Sequence, residues 1–245
     1  MSELLSVNPF TGEVIHRYAA HDTRAIDNLL DRAVVAGRDW KRRSASERLL
    51  CLDTLKNHLL ANREEAAICM VAEMGKLYRE ALAEVDKCVS LCDYYLSTGL
   101  RAIEEKLIPT DARRSGYFYE PQGVILGIMP WNFPFWQAFR FLVPALLAGN
   151  TVVLKHAGNV SGCSLFLERI FASSFPMYCM QAVLIAGANT AFLVQHPAVA
   201  AVSLTGSEEV GRKVAALAGA ALKPLVLELG GSDPLIVFED ADVQH

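Results

Sequence analysis

The sequence predicts an α/β protein, with helices in its amino-terminal part and a parallel sheet covered on both faces in the rest. Three observations lead there. From residue 124 onward, short apolar runs alternate with segments of helical spacing, the order that parallel strands joined by helical crossovers require. Charge is lopsided: residues 1–120 carry 17 of the 23 Lys and Arg and 19 of the 27 Asp and Glu, so solvated helices come first and buried strands after. Hydrophobic residues make up 52% of the chain and mean hydropathy is +0.25, apolar enough for strands buried on both faces.

Asp22 or Thr23 is placed to cap a first helix whose apolar positions Ile26, Leu29, Leu30, Ala33 and Val34 recur at helical spacing, with Gly37 near its end. A capping box, Ser44 to Glu47, opens a second, continued by Leu49, Leu52, Leu55 and Leu59. Asn62 to Glu65 repeats that device, and Gly75 ends the third helix. A fourth runs from Tyr78 to about Leu100, apolar through Ala81, Val85, Cys88, Val89 and Cys92. These stripes read as core packing and carry no assigned chemistry. Residues 113–120 (RRSGYFYE) alternate, are rich in aromatics and read as an exposed hairpin strand or arm, with Pro121-Gln122-Gly123 as the turn. Strand and helix then follow in turn. VILGIM (124–129) precedes a helix over 135–147, TVVLK (151–155) one over 161–174, AVLIAG (182–187) one over 190–195 and VAAVSLTG (199–206) one over 208–218; PLVLELG (224–230) is the last strand. Ligands of such sheets bind beyond the carboxyl ends of the strands. That singles out the polar residues found there: Asn132, Lys155, Gly206-Ser207 and Glu228.

Several function classes are excluded early. A net charge of -4 with no basic cluster beyond Lys41-Arg42-Arg43 leaves no footprint for nucleic acid. The amino terminus has no basic and apolar leader, and the most apolar stretch is broken by Pro144, Gly149 and Asn150 short of a membrane span. The protein therefore reads as cytoplasmic. Its six cysteines, in no repeated spacing, read as thiols of a reducing compartment, and no metal site is expected because no His or Cys set has ligand spacing.

Each motif has a plain reading beside the functional one. Residues 206–211 (GSEEVG) open a helix with backbone N–H groups and a hydroxyl, suited to a phosphate. Arg212 and Lys213 stand where a P-loop has lysine and Ser/Thr, so a triphosphatase is rejected, and the alternative is an ordinary N-cap. The chain has neither a G-x-G-x-x-G after a strand nor a G-x-S-x-G elbow. Lys155 reads as a solvated lysine or a ligand contact. Glu228, flanked by leucines, is expected to be desolvated with a raised pKa suited to a general base, or else to sit in a buried ion pair. Asn132 sits in PWNFPFWQ (130–137): Pro130 and Pro134 fix the backbone, Trp131 and Phe133 are expected to exclude water, and its amide donors then suit an oxyanion. A structural turn asparagine is the alternative.

Taken in order and spacing, PWNFP, the LK at 154–155, the TGS at 205–207 followed by VG, and LELGG at 227–231 resemble the NAD(P)-dependent aldehyde dehydrogenase superfamily. VNPFTGE (7–13), EMGK (73–76) and PALLAGNTVVLK (144–155) support the resemblance, which covers residues 7–243. The form KHAGN and the run AGAALKPLVLELGGSDP are most similar to the bacterial succinate-semialdehyde dehydrogenase branch.

The resemblance implies a Rossmann-like sheet domain that binds NAD or NADP, a small aldehyde as substrate, and a homo-oligomer in the full-length form. It divides the chain into 1–106, the amino-terminal strand and helical part of the cofactor domain; 107–123, the arm of the oligomerisation region; and 124–245, the Rossmann-like part. By the same resemblance, Asn132 and a backbone N–H hold the oxyanion formed when a cysteine thiolate attacks the aldehyde, and Glu228 activates the water that releases the acid. Lys155 binds the adenosine ribose, Ser207 the pyrophosphate, and Met129, Pro130, Trp131, His156, Ala157, Gly158, Gly206 and Leu229 complete the cofactor set. The family's nucleophile lies in a G-Q-x-C segment after ELGG, in a separate catalytic domain, whereas all six cysteines here precede ELGG. The chain is therefore expected to be truncated and inactive alone, the alternative being a non-enzymatic fragment that binds a nucleotide or joins an oligomer. Two departures matter. Many relatives carry a glutamate three residues after the lysine that repels a 2′-phosphate; Gly158 stands there, so NADP should be tolerated as well as NAD. The loop after AVLIAG has Asn189-Thr190 near the place of a second glycine.

Overall fold

Residues 3–242 are described by the structure, a computed structural model. Residues 1–2 and 243–245 lie outside the described residues. An antiparallel hairpin comes first, β1 (Glu3–Val7) with β2 (Val14–Ala19). Its turn is built by Asn8, whose Oδ1 accepts from the N–H groups of Phe10 and Thr11 at 2.9 and 3.3 Å.

Four helices follow. In α1 (Thr23–Trp40) the Asp22 carboxylate accepts from Ala25 N–H at 2.7 Å, the expected cap. The helix runs three residues beyond Gly37, which marks close packing rather than an end: a Cβ there would lie 3.4 Å from Thr151 Oγ1. The capping box of α2 (Ala45–Ala61) forms as read. The second expected box does not, because α3 (Arg63–Met74) abuts α2 and Asn62 Nδ2 donates back to His58 O at 2.8 Å. Gly75 closes α3 at φ +72°, and α4 (Tyr78–Thr98) completes the set. The arm forms a hairpin of only two residues a side, β3 (Lys106–Leu107) with β4 (Gly116–Tyr117).

The main sheet is parallel, in the order β7 (Met180–Ala182), β6 (Thr151–His156), β5 (Val124–Met129), β8 (Val199–Gly206), β9 (Leu225–Leu229). Its helices are α5 (Trp136–Leu147), α6 (Ser161–Ala172), α7 (Thr190–Gln195) and α8 (Glu208–Ala220). β7 is shorter and earlier than the apolar run AVLIAG suggests, because Leu184 pairs instead with His21: His21 N–H donates to Leu184 O at 2.8 Å and Leu184 N–H to His21 Nδ1 at 3.2 Å.

The amino-terminal helices are the cover of this sheet. One core joins α2, α3 and α4 to α5, α6 and one sheet face, and another joins α1 to α7, α8 and the opposite face. Trp40, fully buried, ties the layers by donating from Nε1 to Leu146 O at 2.9 Å. Two further ties replace missing caps. Neither α5 nor α6 has a side-chain cap at its own N-cap residue. Buried Glu84 on α4 accepts instead from the N–H groups of Phe135 and Trp136, both at 2.9 Å, and buried Glu73 on α3 from those of Gly162 and Cys163, both at 2.8 Å. A carboxylate at a helix amino end satisfies orphan donors and meets the positive end of the peptide dipoles. Among the described residues no helix is long and apolar enough to cross a membrane.

Candidate active site

Strand order turns over at β5, with β6 on one side and β8 on the other. Crossovers from such a strand diverge to opposite faces and leave a crevice at its carboxyl end. A cleft of about 460 Å³ lies there. From the first loop, Pro130, Trp131 and Asn132 line it; from the ends of β8 and β9 come Gly206, Ser207, Glu228 and Leu229. The carboxamide and the carboxylate, far apart in sequence, thus share one cleft. Met129, Lys155, His156, Ala157 and Gly158 do not line it. Met129 ends β5 itself, and the other four sit on or just after β6, one strand over, where Ile128 registers with Lys155 and Met129 with His156.

Asn132 is exposed, with Trp131 at 51% and Phe133 at 43% of their full accessibility, so the expected exclusion of water by its neighbours is corrected. The loop is held from behind instead. Lys76 forms a buried ion pair with Glu84, the cap of α5, and places its ammonium 3.8 Å from the centre of the Phe133 ring. His156 Nε2 meets Pro134 O at 2.8 Å, while Nδ1 accepts from Ala157 N–H at 3.0 Å, which fixes the Nε2–H tautomer. Asn132 Oδ1 accepts from Phe133 N–H at 3.2 Å, and its Nδ2 hydrogens have no partner among the described residues. An amide so arranged presents donors to the cleft.

Glu228 is not desolvated. Its side chain is 53% exposed and pairs with Arg140 of α5 at 3.4 Å. The physical reason is its strand: β9 is the sheet edge beyond β8, and four of its five residues are exposed. The alternative of a buried ion pair fails on the same exposure.

The end of β6 is the opposite case. Lys155 is only 8% exposed, and burial lowers its pKa. Its ammonium has no hydrogen bond or ion pair among the described residues, and its side chain, unlike that of a freely solvated lysine, is enclosed up to a nitrogen that still reaches solvent. His156, fully enclosed, has its pKa pushed down to about 4 chiefly by burial; with both ring nitrogens engaged, its side chain has a structural task. Gly158 lies against Leu4 of β1, 3.4 Å from where a Cβ would be. Ser207 caps α8 by accepting from Val210 N–H at 3.4 Å, and its own O–H can still donate. The acidic first turn is neutralised by Arg212 on Glu208 and Lys213 on Glu209.

Arg140 escaped the sequence reading, although it is the one charge in α5 as Glu228 is in β9, a complementarity that could have found the pair. Gln137, Thr205 and Gly230 also line the cleft and belong to segments already singled out. None of the six cysteines does. What the cleft offers is a donor amide, a carboxylate and an adjacent helix amino terminus.

Known proteins resemble the chain over almost its whole length. The model of the aldehyde dehydrogenase family matches residues 2–245. A probable succinate-semialdehyde dehydrogenase, NADP(+), of Synechocystis sp. is 41% identical over 243 residues, covering 99% of this chain and 54% of that protein. A succinate-semialdehyde dehydrogenase, NADP(+), of Deinococcus radiodurans is 40% identical over 239 residues, covering 97% and 50%. The chain spans about half the length of the curated relatives it matches. Among solved structures, succinic semialdehyde dehydrogenase from Streptococcus pyogenes in complex with NADP+ superposes with a TM-score of 0.92 at 32% identity, over 98% of this chain and 53% of that one. With the family pattern running through nearly every residue, and its PWNFP and ELGG segments meeting at the switch point of the sheet, the chain belongs to the aldehyde dehydrogenase family.

Proposed function

We propose that this chain is the cofactor-binding part of an aldehyde dehydrogenase that oxidises succinate semialdehyde to the acid with NADP or NAD. The observation that carries the reading is the shared cleft of Asn132 and Glu228 beside the amino terminus of α8. The ammonium of Lys155, on a buried side chain and without a protein partner, fits a nucleotide: a ribose hydroxyl or phosphate can supply a partner that the protein does not. In this reading Lys155 holds the adenosine ribose, the Ser207 hydroxyl and the first turn of α8 meet the pyrophosphate, and backbone over 129–132 lines the crevice. The nicotinamide, when bound, accepts the hydride from the substrate carbon. Asn132 donates to the substrate oxygen as it gains negative charge, and Glu228 takes the proton from the hydrolytic water. Gly158 places no carboxylate against a 2′-phosphate, in line with the NADP(+) named for the relatives.

The rest of the reading follows the same resemblance. The arm, with Leu107, Ile108, Phe118 and Tyr119 exposed, is a homo-oligomer contact, and the division at 106 and 123 separates it from the sheet domain. Net charge of -4 argues against a nucleic-acid partner, and six free thiols favour the cytoplasm. A second reading, a fragment that binds nucleotide without catalysis, is favoured by the cleft having no thiol. Titrating the chain with NADP+ and NAD+ by calorimetry, then adding succinate semialdehyde and following reduced nicotinamide, separates the possibilities. We expect both cofactors to bind and no reduction to occur. Failure of both to bind sinks the cofactor assignment, and turnover would show that the reaction needs no cysteine beyond these residues.

A further inference from the structure

We propose that Cys69 and Cys163 are a peroxide-sensitive thiol pair that closes to a reversible disulfide between α3 and α6. Their Sγ atoms are 3.5 Å apart. Closure to the roughly 2.05 Å of an S–S bond needs about 1.5 Å of approach shared by two side chains. Among the described residues this is the one pair of cysteines whose sulfurs are in hydrogen-bond contact.

The two thiols are unequal. Cys69 is half-buried, where a small oxidant can arrive; Cys163 is fully buried in the first turn of α6 and meets only what Cys69 presents. In the first step the Cys69 thiolate attacks one oxygen of hydrogen peroxide, so that an S–O bond forms, the O–O bond breaks and a water leaves. In the second, the Cys163 sulfur attacks the Cys69 sulfur, so that S–S forms, S–O breaks and a second water leaves. Both sulfurs are oxidised, the peroxide is reduced and both thiol protons end in water. Contact with Cys69, then burial and the charge of Glu73, hold the Cys163 thiol well above its usual pKa. Glu73, with a carboxylate oxygen within 4.8 Å of both sulfurs, is placed to take its proton in the second step.

Cys69, Glu73 and Cys163 also have a spacing that a metal ion would accept. The geometry opposes it. Both Glu73 oxygens already accept from Gly162 and Cys163 N–H groups at 2.8 Å, and a cation among them would face the positive amino end of α6. A disulfide is neutral and leaves those bonds in place. Gly162, beside Cys163, has no room for a side chain, since a Cβ there would lie 2.8 Å from Glu73 Oε1 and 2.9 Å from the Tyr18 hydroxyl, so the first turn of α6 packs closely on Glu73.

The test treats the native chain with hydrogen peroxide, alkylates it and maps it by mass spectrometry without reduction. We expect a loss of two hydrogens, two of the six thiols no longer titratable in denaturant, and a linked peptide pair carrying Cys69 and Cys163 that dithiothreitol separates. Cys163→Ser is expected to leave Cys69 as a sulfenic acid trapped by dimedone. Six titratable thiols, a link between other cysteines, Cys69 driven to sulfinic acid without a link, or stoichiometric zinc that shields both thiols would each overturn the proposal. The map of the unmutated chain decides by itself, whether or not the variant folds.

Discussion

Lys155 is a residue placed against its own comfort. A lysine whose side chain is mostly buried without a counter-charge opposes folding, and an apolar side chain of similar length removes that cost. Lys155→Met is expected to raise stability by about 1–2 kcal/mol and to weaken NADP+ binding roughly tenfold or more, read by thermal melts and by calorimetry on the same sample. Equal signs in the two measurements would refute a binding role. His156 gives a pH dependence. Its folded pKa of about 4 lies below the ordinary 6.5, so between these values the unfolded chain holds the proton and the native state does not. Stability is therefore full above pH 6.5 and falls as pH drops toward 4, by roughly 3 kcal/mol in all. His21, whose pKa is also lowered by burial, adds to the same slope. Melts from pH 7.5 to 5 check this, and His156→Asn is expected to flatten the profile in part. The sequence made Asn132 and Glu228 legible as cleft residues because each follows or ends a strand. It misjudged their solvation, because burial depends on what lies across the loop after β5 and across the edge strand β9, which no local pattern records.

At the scale of elements, capping and periodicity are local, so the starts of α1, α2 and α4 were legible almost to the residue, while the end of α1 lies three residues beyond Gly37. β7 was not, since Leu184 prefers a partner from the segment before α1. Glu84 and Glu73 left a signal that was passed over: each is an acidic residue within an otherwise apolar helical stripe, Glu84 beside Ala81, Val85 and Cys88, Glu73 three residues after Met70. Glu84→Ala strands the buried Lys76 ammonium and leaves two N–H groups of α5 unsatisfied. A loss of about 3–5 kcal/mol is expected, with faster hydrogen exchange at Phe135 and Trp136 than elsewhere in α5. Unchanged exchange at those two amides would show that the carboxylate does not hold the loop bearing Asn132.

On the scale of the whole molecule, the sheet is finished at one side and open at the other. β9 exposes Val226 and Leu229, and beyond it Leu235, Ile236, Val237 and Phe238 are all more than half exposed. Exposed apolar side chains in this number drive association. Sedimentation is expected to show concentration-dependent self-association, reduced in a Leu235→Ser, Ile236→Ser, Phe238→Ser variant; a monomer at all concentrations would argue that the strip is inert. The trans-capping of α5 and α6 has a temporal consequence. Each helix depends on a carboxylate made earlier, 51 positions before it for Phe135 and 89 for Gly162. On the ribosome the stabilising groups have already emerged when their helices appear, so the order of synthesis matches the order of need, and a rearranged gene that encoded the sheet first would leave both helix ends waiting.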